Sequence, residues 1–262
     1  MEAFKILCLG GGGIKGIMHI GALEELEKEV GSLHKHFSKG IYGCSVGSLI
    51  ATSIAFGITP EQIKKVYNKI ADFKKLVDMN DLTKIQNILI QLFNEFKIDI
   101  KSKKCCDALI PLYISASNLS KGTPTLFTGN VPVLKAIMAS CCLPFIFQPQ
   151  IINNNIYVDG GFITNILLNL VPPEDRCMAL SFSIIHTKEK ITNLKSDSPL
   201  EYVYKLYKIS CLYEHYKNTY KNNIDLWYDK GSGISEFTEN EKNEMILIGS
   251  KLCRRFISQC TN

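Results

Sequence analysis

At 262 residues with 46% hydrophobic side chains, the chain can bury a full core, and one domain spanning 1–262 is expected. Its longest apolar runs, such as Gly47 to Ile58, fall short of the ~18–20 residues that cross a bilayer, and the first residues already read as a strand, not a signal peptide; the expectation is an intracellular, cytoplasmic protein, at most peripheral at membranes. A formal charge of +5 is mild and spread over Lys74-Lys75, Lys101 to Lys104 and the lysines after 205, which read as solvated faces with a weak preference for anionic surfaces; no nucleic-acid partner is expected.

The ten cysteines carry no C-x-x-C, and Cys105-Cys106 and Cys141-Cys142 lack zinc-ligand spacing, so no metal is expected. Cys8 and Cys44 fall in apolar strands, where a free thiol acts as a small hydrophobe; a reducing compartment fits them.

Phe4 to Leu9 predicts a buried strand that runs into four consecutive glycines, Gly10 to Gly13. Glycine loses more backbone freedom on folding than any other residue, so four in a row must serve a need. They bring bare N–H groups to a helix N-terminus, where aligned peptide dipoles favour negative charge. The helix expected over about Ile14 to Val30 starts apolar all round and then carries Leu23, Leu26 and Val30 on one face, opposite Glu24, Glu25 and Lys28. Ile41-Tyr42 is a short strand ahead of Gly43-Cys44-Ser45-Val46-Gly47, and Val46 to Phe56 is an apolar helix. A G-x-S-x-G between strand and helix is a nucleophile elbow, whose small flanking residues permit the strained turn that lifts the serine Oγ out of the sheet. An oxyanion donor site beside a nucleophile points to acyl transfer.

Thr59-Pro60-Glu61-Gln62 is a capping box with proline at the first helical position, and helices follow at roughly 60–71 and 81–95. Leu109 to Ser117 reads as a strand, with Pro111 placing that end near an edge or bulge, and Thr125 to Thr128 as its partner. A helix over Val131 to Ser140 stops before Pro144. Ile156 to Val158 is a short strand ending in Asp159-Gly160-Gly161. Met178 to Ile185 is a further strand, Pro199 to Tyr220 a long helix rich in Tyr and Lys, and Ile224 to Tyr228 the last strand. Thr238 to Glu241 is a second capping box, opening a helix to about Ser258. The alternation predicts an α/β fold, a three-layer α/β/α sandwich with a mostly parallel central sheet.

Gly11-x-Gly13-x-x-Gly16 also satisfies the dinucleotide fingerprint, leaving a nucleotide-binding oxidoreductase as an alternative. That reading needs an acidic residue ~20 positions on for the ribose, and no Asp or Glu lies between Gly31 and Thr59. A histidine-based triad finds no candidate in chemical context except His186; His19, His34, His36 and His215 read as surface or packing residues. Asp159 then becomes the candidate base. It ends an apolar strand, where sites in open α/β sheets gather, although Asp-Gly is also a common hairpin turn.

Gly11-Gly12-Gly13-Ile14-Lys15-Gly16, Gly43-Cys44-Ser45-Val46-Gly47 and Asp159-Gly160-Gly161, in this order, resemble the patatin-like phospholipase family, with its G-G-G-x-[KR]-G loop, G-x-S-x-G nucleophile and D-G-[GA] aspartate. Ala139 to Pro144 resembles the family's A-S-x-x-x-P segment, and Asn165 its polar residue after D-G-G; the likeness covers about residues 4–185. Lys15 stands where Arg is commoner, and Cys44 and Val46 where Thr and Ala are usual. The resemblance implies a lipid acyl hydrolase of phospholipase A or lysophospholipase type, with a Ser45–Asp159 dyad and no histidine, metal or cofactor. The backbone of Gly11, Gly12 and Gly13 would form the oxyanion hole, where such donors are worth ~3–4 kcal/mol each. Lys15, Gly16, Gly43, Gly47, Gly160 and Gly161 would support it, with Lys15 open between holding the loop, favouring an anionic head group and simple solvation. The implied partner is a phospholipid or other acyl-ester lipid, with Leu143 to Phe147 and the 202–220 helix as candidates for contact with a lipid interface. A catalytically silent lipid-binding member of the same fold is the remaining alternative.

Overall fold

The computed structural model describes residues 1–70, 82–185, 199–218, 220–231, 233 and 235–260; His186, Lys74 and Lys75, among the residues singled out above, lie outside these. Eight strands form one sheet: β1 (Ile6–Leu9), β2 (Gly40–Cys44), β3 (Leu112–Asn118), β4 (Thr123–Phe127), β5 (Gln150–Ile152), β6 (Asn155–Asp159), β7 (Ala179–Ile185) and β8 (Asn223–Trp227). The order is β5-β6-β3-β2-β1-β7-β8, with β4 pairing β3. The run β3-β2-β1-β7-β8 is parallel, while β4 and β6 lie antiparallel to β3 and β5 to β6.

The described helices are α1 (Ile17–Val30), α2 (Leu33–His36), α3 (Val46–Ala55), α4 (Pro60–Ile70), α5 (Leu82–Glu95), α6 (Val133–Ser140), α7 (Pro199–Lys217) and α8 (Glu239–Cys260). Both capping boxes form: Thr59 and Gln62 exchange bonds of 2.9 and 3.3 Å ahead of α4, and Thr238 and Glu241 do the same ahead of α8. The first helix opens with a 3-10 turn over Gly13–Gly16 before α1 begins. The short α2 and β5 have no counterpart among the predicted elements.

Strand alternation sorts the core. Leu7 and Leu9 of β1 enter a large apolar cluster with residues of α1, α3, α6 and α8, while Ile6 and Cys8 face a smaller one on the other side. Long helices cover the first face. The second is covered by the 3-10 segment Leu167–Leu170 and, beside β7 and β8, by Leu212 and His215 of α7, the latter 3.3 Å from Asp225. On the helical side α1 and α8 cross closely: a Cβ on Gly21 would sit 1.9 Å from Ile246 O, and one on Gly249 2.0 Å from Met18 O.

Strand β3 organises the site, and it is no edge strand. Pro111 precedes its ladder, where no N–H is required, and the Pro111 carbonyl accepts from Ile41 N at 2.9 Å. One side of β3 pairs with β4 from Ile114 to Asn118. The other side is shared: β2 pairs parallel up to Cys44 opposite Ser115, and β6 antiparallel down to Asp159 opposite Ala116. Strands β2 and β6 therefore run toward each other along one edge and end on adjacent residues of β3. Residues 45 and 159 meet because the sheet aims their strands at the same point.

Candidate active site

Ser45 follows β2 with φ 51° and ψ −127°, a positive φ that side-chain-bearing residues seldom adopt. The strained turn is pinned from both sides. Its N–H donates to Ser140 Oγ at 2.9 Å, and the Ser140 hydroxyl donates to Ser115 O at 2.6 Å. Its carbonyl accepts from Ser48 N at 2.8 Å and Ser48 Oγ at 2.6 Å. Gly47 lets α3 lie on the end of β1, since a Cβ there would come within 2.0 Å of Leu9 O. Ser45 is buried but for 7% of its surface, whereas Asp159 is fully buried.

Asp159 is held through its main chain by Cys142, whose carbonyl accepts from Asp159 N at 2.8 Å. Its Oδ1 accepts from Gly161 N at 2.9 Å. Oδ2 is buried and accepts no hydrogen bond of good geometry, while the Ser45 hydroxyl beside the carboxyl favours its charged form. Burial outweighs the Ser45 and Gly161 donors and raises the pKa from 3.8 to about 6. Gly160 permits the close approach: a Cβ there would lie 2.5 Å from Ser115 O and 2.9 Å from Cys44 Sγ.

The glycine loop passes the same point. Gly10 N donates to Phe182 O at 2.9 Å, and Gly10 O accepts from His19 Nε2 at 2.9 Å. Gly11 N donates to Asn165 Oδ1 at 2.7 Å, and Gly11 O accepts from Asn165 Nδ2 at 3.2 Å. Ile14 N donates to Gly233 O at 2.8 Å, and Tyr67 OH lies 3.3 and 3.2 Å from the carbonyls of Gly13 and Ile14. The N–H groups of Gly12 and Gly13 find no acceptor among the described residues. Of the three expected oxyanion donors, Gly11 is thus already committed to Asn165. Two are left with open amides, at the end of a parallel strand beside the elbow.

For three residues the structure narrows or adds to the sequence reading. Lys15 is fully buried, not solvated: its Nζ donates to Tyr228 O at 2.7 Å and stands 5.8 Å from the Tyr228 ring centre. His19 is no surface residue; burial lowers its pKa to about 4, so it is neutral and gives its Nε2 proton to the loop. Ser140 holds the elbow, a role its place in the A-S-x-x-x-P segment did not reveal. His34 meets Ser32 Oγ, His36 lies on Phe37 and His215 pairs with Asp225, so none of these addresses Ser45.

The family model of patatin-like phospholipases matches residues 7–171, more than half of the chain. The chain belongs to the patatin-like phospholipase family and is a carboxylic-ester hydrolase acting on lipid acyl esters. It is similar to a probable lipid hydrolase (463L) of Invertebrate iridescent virus 6, 24% identical over 92% of this chain and 80% of that one. It is also similar to a cUMP-AMP-activated phospholipase of Escherichia coli, 27% identical over 62% of this chain and 55% of that one. The crystal structure of VipD from Legionella pneumophila shares the fold with a TM-score of 0.60 at 14% identity, covering 98% of this chain and 67% of that chain. These likenesses do not favour the dinucleotide alternative, and β2 ends in the elbow instead of an acidic ribose ligand.

Proposed function

We propose that Ser45 and Asp159 form the catalytic dyad of a phospholipase A or lysophospholipase. The observation that carries this is the convergence of β2 and β6 on adjacent residues of β3, with Gly11 of the glycine loop against Ser45 and the next two amides, of Gly12 and Gly13, open. Asp159 accepts the Ser45 proton as Oγ bonds to the ester carbonyl carbon. The carbonyl electron pair moves onto oxygen and lies against the N–H groups of Gly12 and Gly13. As that tetrahedral species collapses, the C–O bond to the lysolipid breaks and the proton on Asp159 passes to the leaving alkoxide. A water then gives its proton to Asp159 as its oxygen bonds to the acyl carbon; collapse breaks the bond from that carbon to Ser45 Oγ, the proton on Asp159 returns to Oγ, and the fatty acid is released. A base with a pKa of about 6 suits this work, being mostly ionised at neutral pH yet a stronger base than an exposed carboxylate.

The whole chain acts as one domain in this reading, working inside the cell at a lipid surface. The ten cysteines are free thiols, which supports a reducing compartment. Among the described residues, no helix is long and apolar enough to cross a membrane. Tyr202, Leu206, Ile209, Tyr213 and Tyr216, spaced by four and three along α7, are 46–68% exposed and make one apolar stripe for the lipid interface. Phe145, 77% exposed on the loop after Leu143, is a second contact point. The test is a panel of phospholipids, lysophospholipids and triacylglycerols assayed with wild type, Ser45→Ala and Asp159→Asn. Release of fatty acid by wild type alone is expected, and turnover by either variant refutes the dyad.

A further inference from the structure

Asn165 is buried and has no part in the proton transfers above, yet it grips the loop that carries the open amides. Its side-chain amide meets one residue twice: Oδ1 accepts from Gly11 N at 2.7 Å and Nδ2 donates to Gly11 O at 3.2 Å. The Gly11 carbonyl and the Gly12 N–H belong to the same planar trans peptide and point in opposite directions. Holding Gly11 O against Asn165 therefore turns the Gly12 N–H to the opposite side. Neither Gly11 nor Gly12 has a Cβ to resist rotation of that peptide. A flip would put a carbonyl oxygen where the N–H now stands, and a carbonyl repels an oxyanion.

Asn165 is itself anchored. Its N–H donates to Glu214 Oε2 at 2.7 Å, and Glu214 Oε1 accepts from Asn169 Nδ2 at 2.9 Å and from the Thr164 hydroxyl. Glu214 comes from α7, whose exposed stripe was described above. We propose that Asn165 is a positioning residue which locks the Gly11–Gly12 peptide with its N–H available to the oxyanion, and that Glu214 fixes Asn165 in that pose. This rests on the dyad reading, since an oxyanion hole has meaning only if Ser45 attacks a carbonyl.

The test compares full-length wild type with Asn165→Ala, Asn165→Asp, Glu214→Gln and Ser45→Ala on a soluble 4-nitrophenyl ester. A long-chain trifluoromethyl ketone, which forms a hemiketal oxyanion on an attacking serine, is titrated in parallel. Asn165→Ala should lose about 10²-fold in kcat, the scale of a displaced reacting group, with KM changed less than about twofold. Its affinity for the ketone should fall by the same factor as kcat/KM. Asn165→Asp differs from asparagine only at the second terminal atom and keeps the acceptor for Gly11 N, so it serves if the alanine variant does not fold. It loses the donor to Gly11 O and should be as impaired as the alanine variant. Glu214→Gln should lose less, about tenfold or under, in the same two readouts. Asn165 variants that keep kcat within about threefold of wild type, or lose activity with unchanged ketone affinity, overturn the clamp while leaving the dyad standing. Turnover and ketone binding that persist in Ser45→Ala overturn the dyad instead.

Discussion

The stretch matched by the family model, 7–171, and the third of the chain beyond it contribute different things. The first supplies every reacting group of the proposed mechanism: Ser45, Asp159 and the amides of Gly12 and Gly13. The second supplies braces. Tyr228 O receives Lys15 Nζ, Gly233 O receives Ile14 N, Glu214 holds Asn165 and α8 lies across α1 at Gly21 and Gly249. In the proposed mechanism the recognisable motifs thus mark where bonds are made and broken, whereas the far third adds braces that carry no motif to those that Ser140 and Asn165 supply from within the matched stretch.

The contrast can be broken at either end. Ser45→Ala and Asp159→Asn should each lower ester turnover by at least about 10³-fold while leaving the far-ultraviolet circular dichroism of wild type intact. In the bracing third, Gly249→Val would drive a side chain into the Met18 carbonyl of α1. A loss of about 3 kcal/mol in thermal or urea unfolding is expected, with reactive groups untouched.

Asp159→Asn sharpens the comparison from the other direction, because a reactive group should cost stability where a brace adds it. Its folded pKa of about 6 lies above the ordinary 3.8, so the protonated form is favoured in the native state. The stability this contributes is fully present below pH 3.8 and is lost as pH rises through about 6. Replacing the carboxyl by an amide should therefore stabilise the protein at pH 7, by on the order of 3 kcal/mol, with the advantage vanishing near pH 4. Wild-type kcat/KM should rise with pH through the same region as the base ionises. A variant less stable than wild type at pH 7 would contradict the assignment of a buried, desolvated carboxylate. The smallest effect is expected on the outer face of α7: Tyr213→Glu should weaken binding to phosphatidylcholine vesicles several-fold, measured by co-sedimentation, and leave hydrolysis of a soluble ester unchanged.

The α/β alternation, both capping boxes and the three glycine-rich motifs were legible because each is a local pattern with a local cause. Turn chemistry at Gly43 to Gly47 needs no distant partner to be read. The meeting of β2 and β6 on one edge of β3 was not legible, since register is decided by packing across more than a hundred residues. The same holds for Lys15. Its sequence neighbours leave solvation open, and only the arrival of Tyr228 from the far end of the chain decides that it is buried. His19 read as a packing or surface residue because its partner, the Gly10 carbonyl, is a backbone atom that any sequence would offer. Glu214 gave no signal at all; it is one acid in a Tyr- and Lys-rich helix until Thr164, Asn165 and Asn169 surround it.

The most direct test of the Ser45–Asp159 pairing is the rate at which a fluorophosphonate labels the protein, with the adduct located by mass spectrometry. A single phosphonyl group on Ser45 in wild type is expected, with the labelling rate falling at least about 10³-fold in Asp159→Asn. An adduct on another residue, or equal rates in the two proteins, would contradict it.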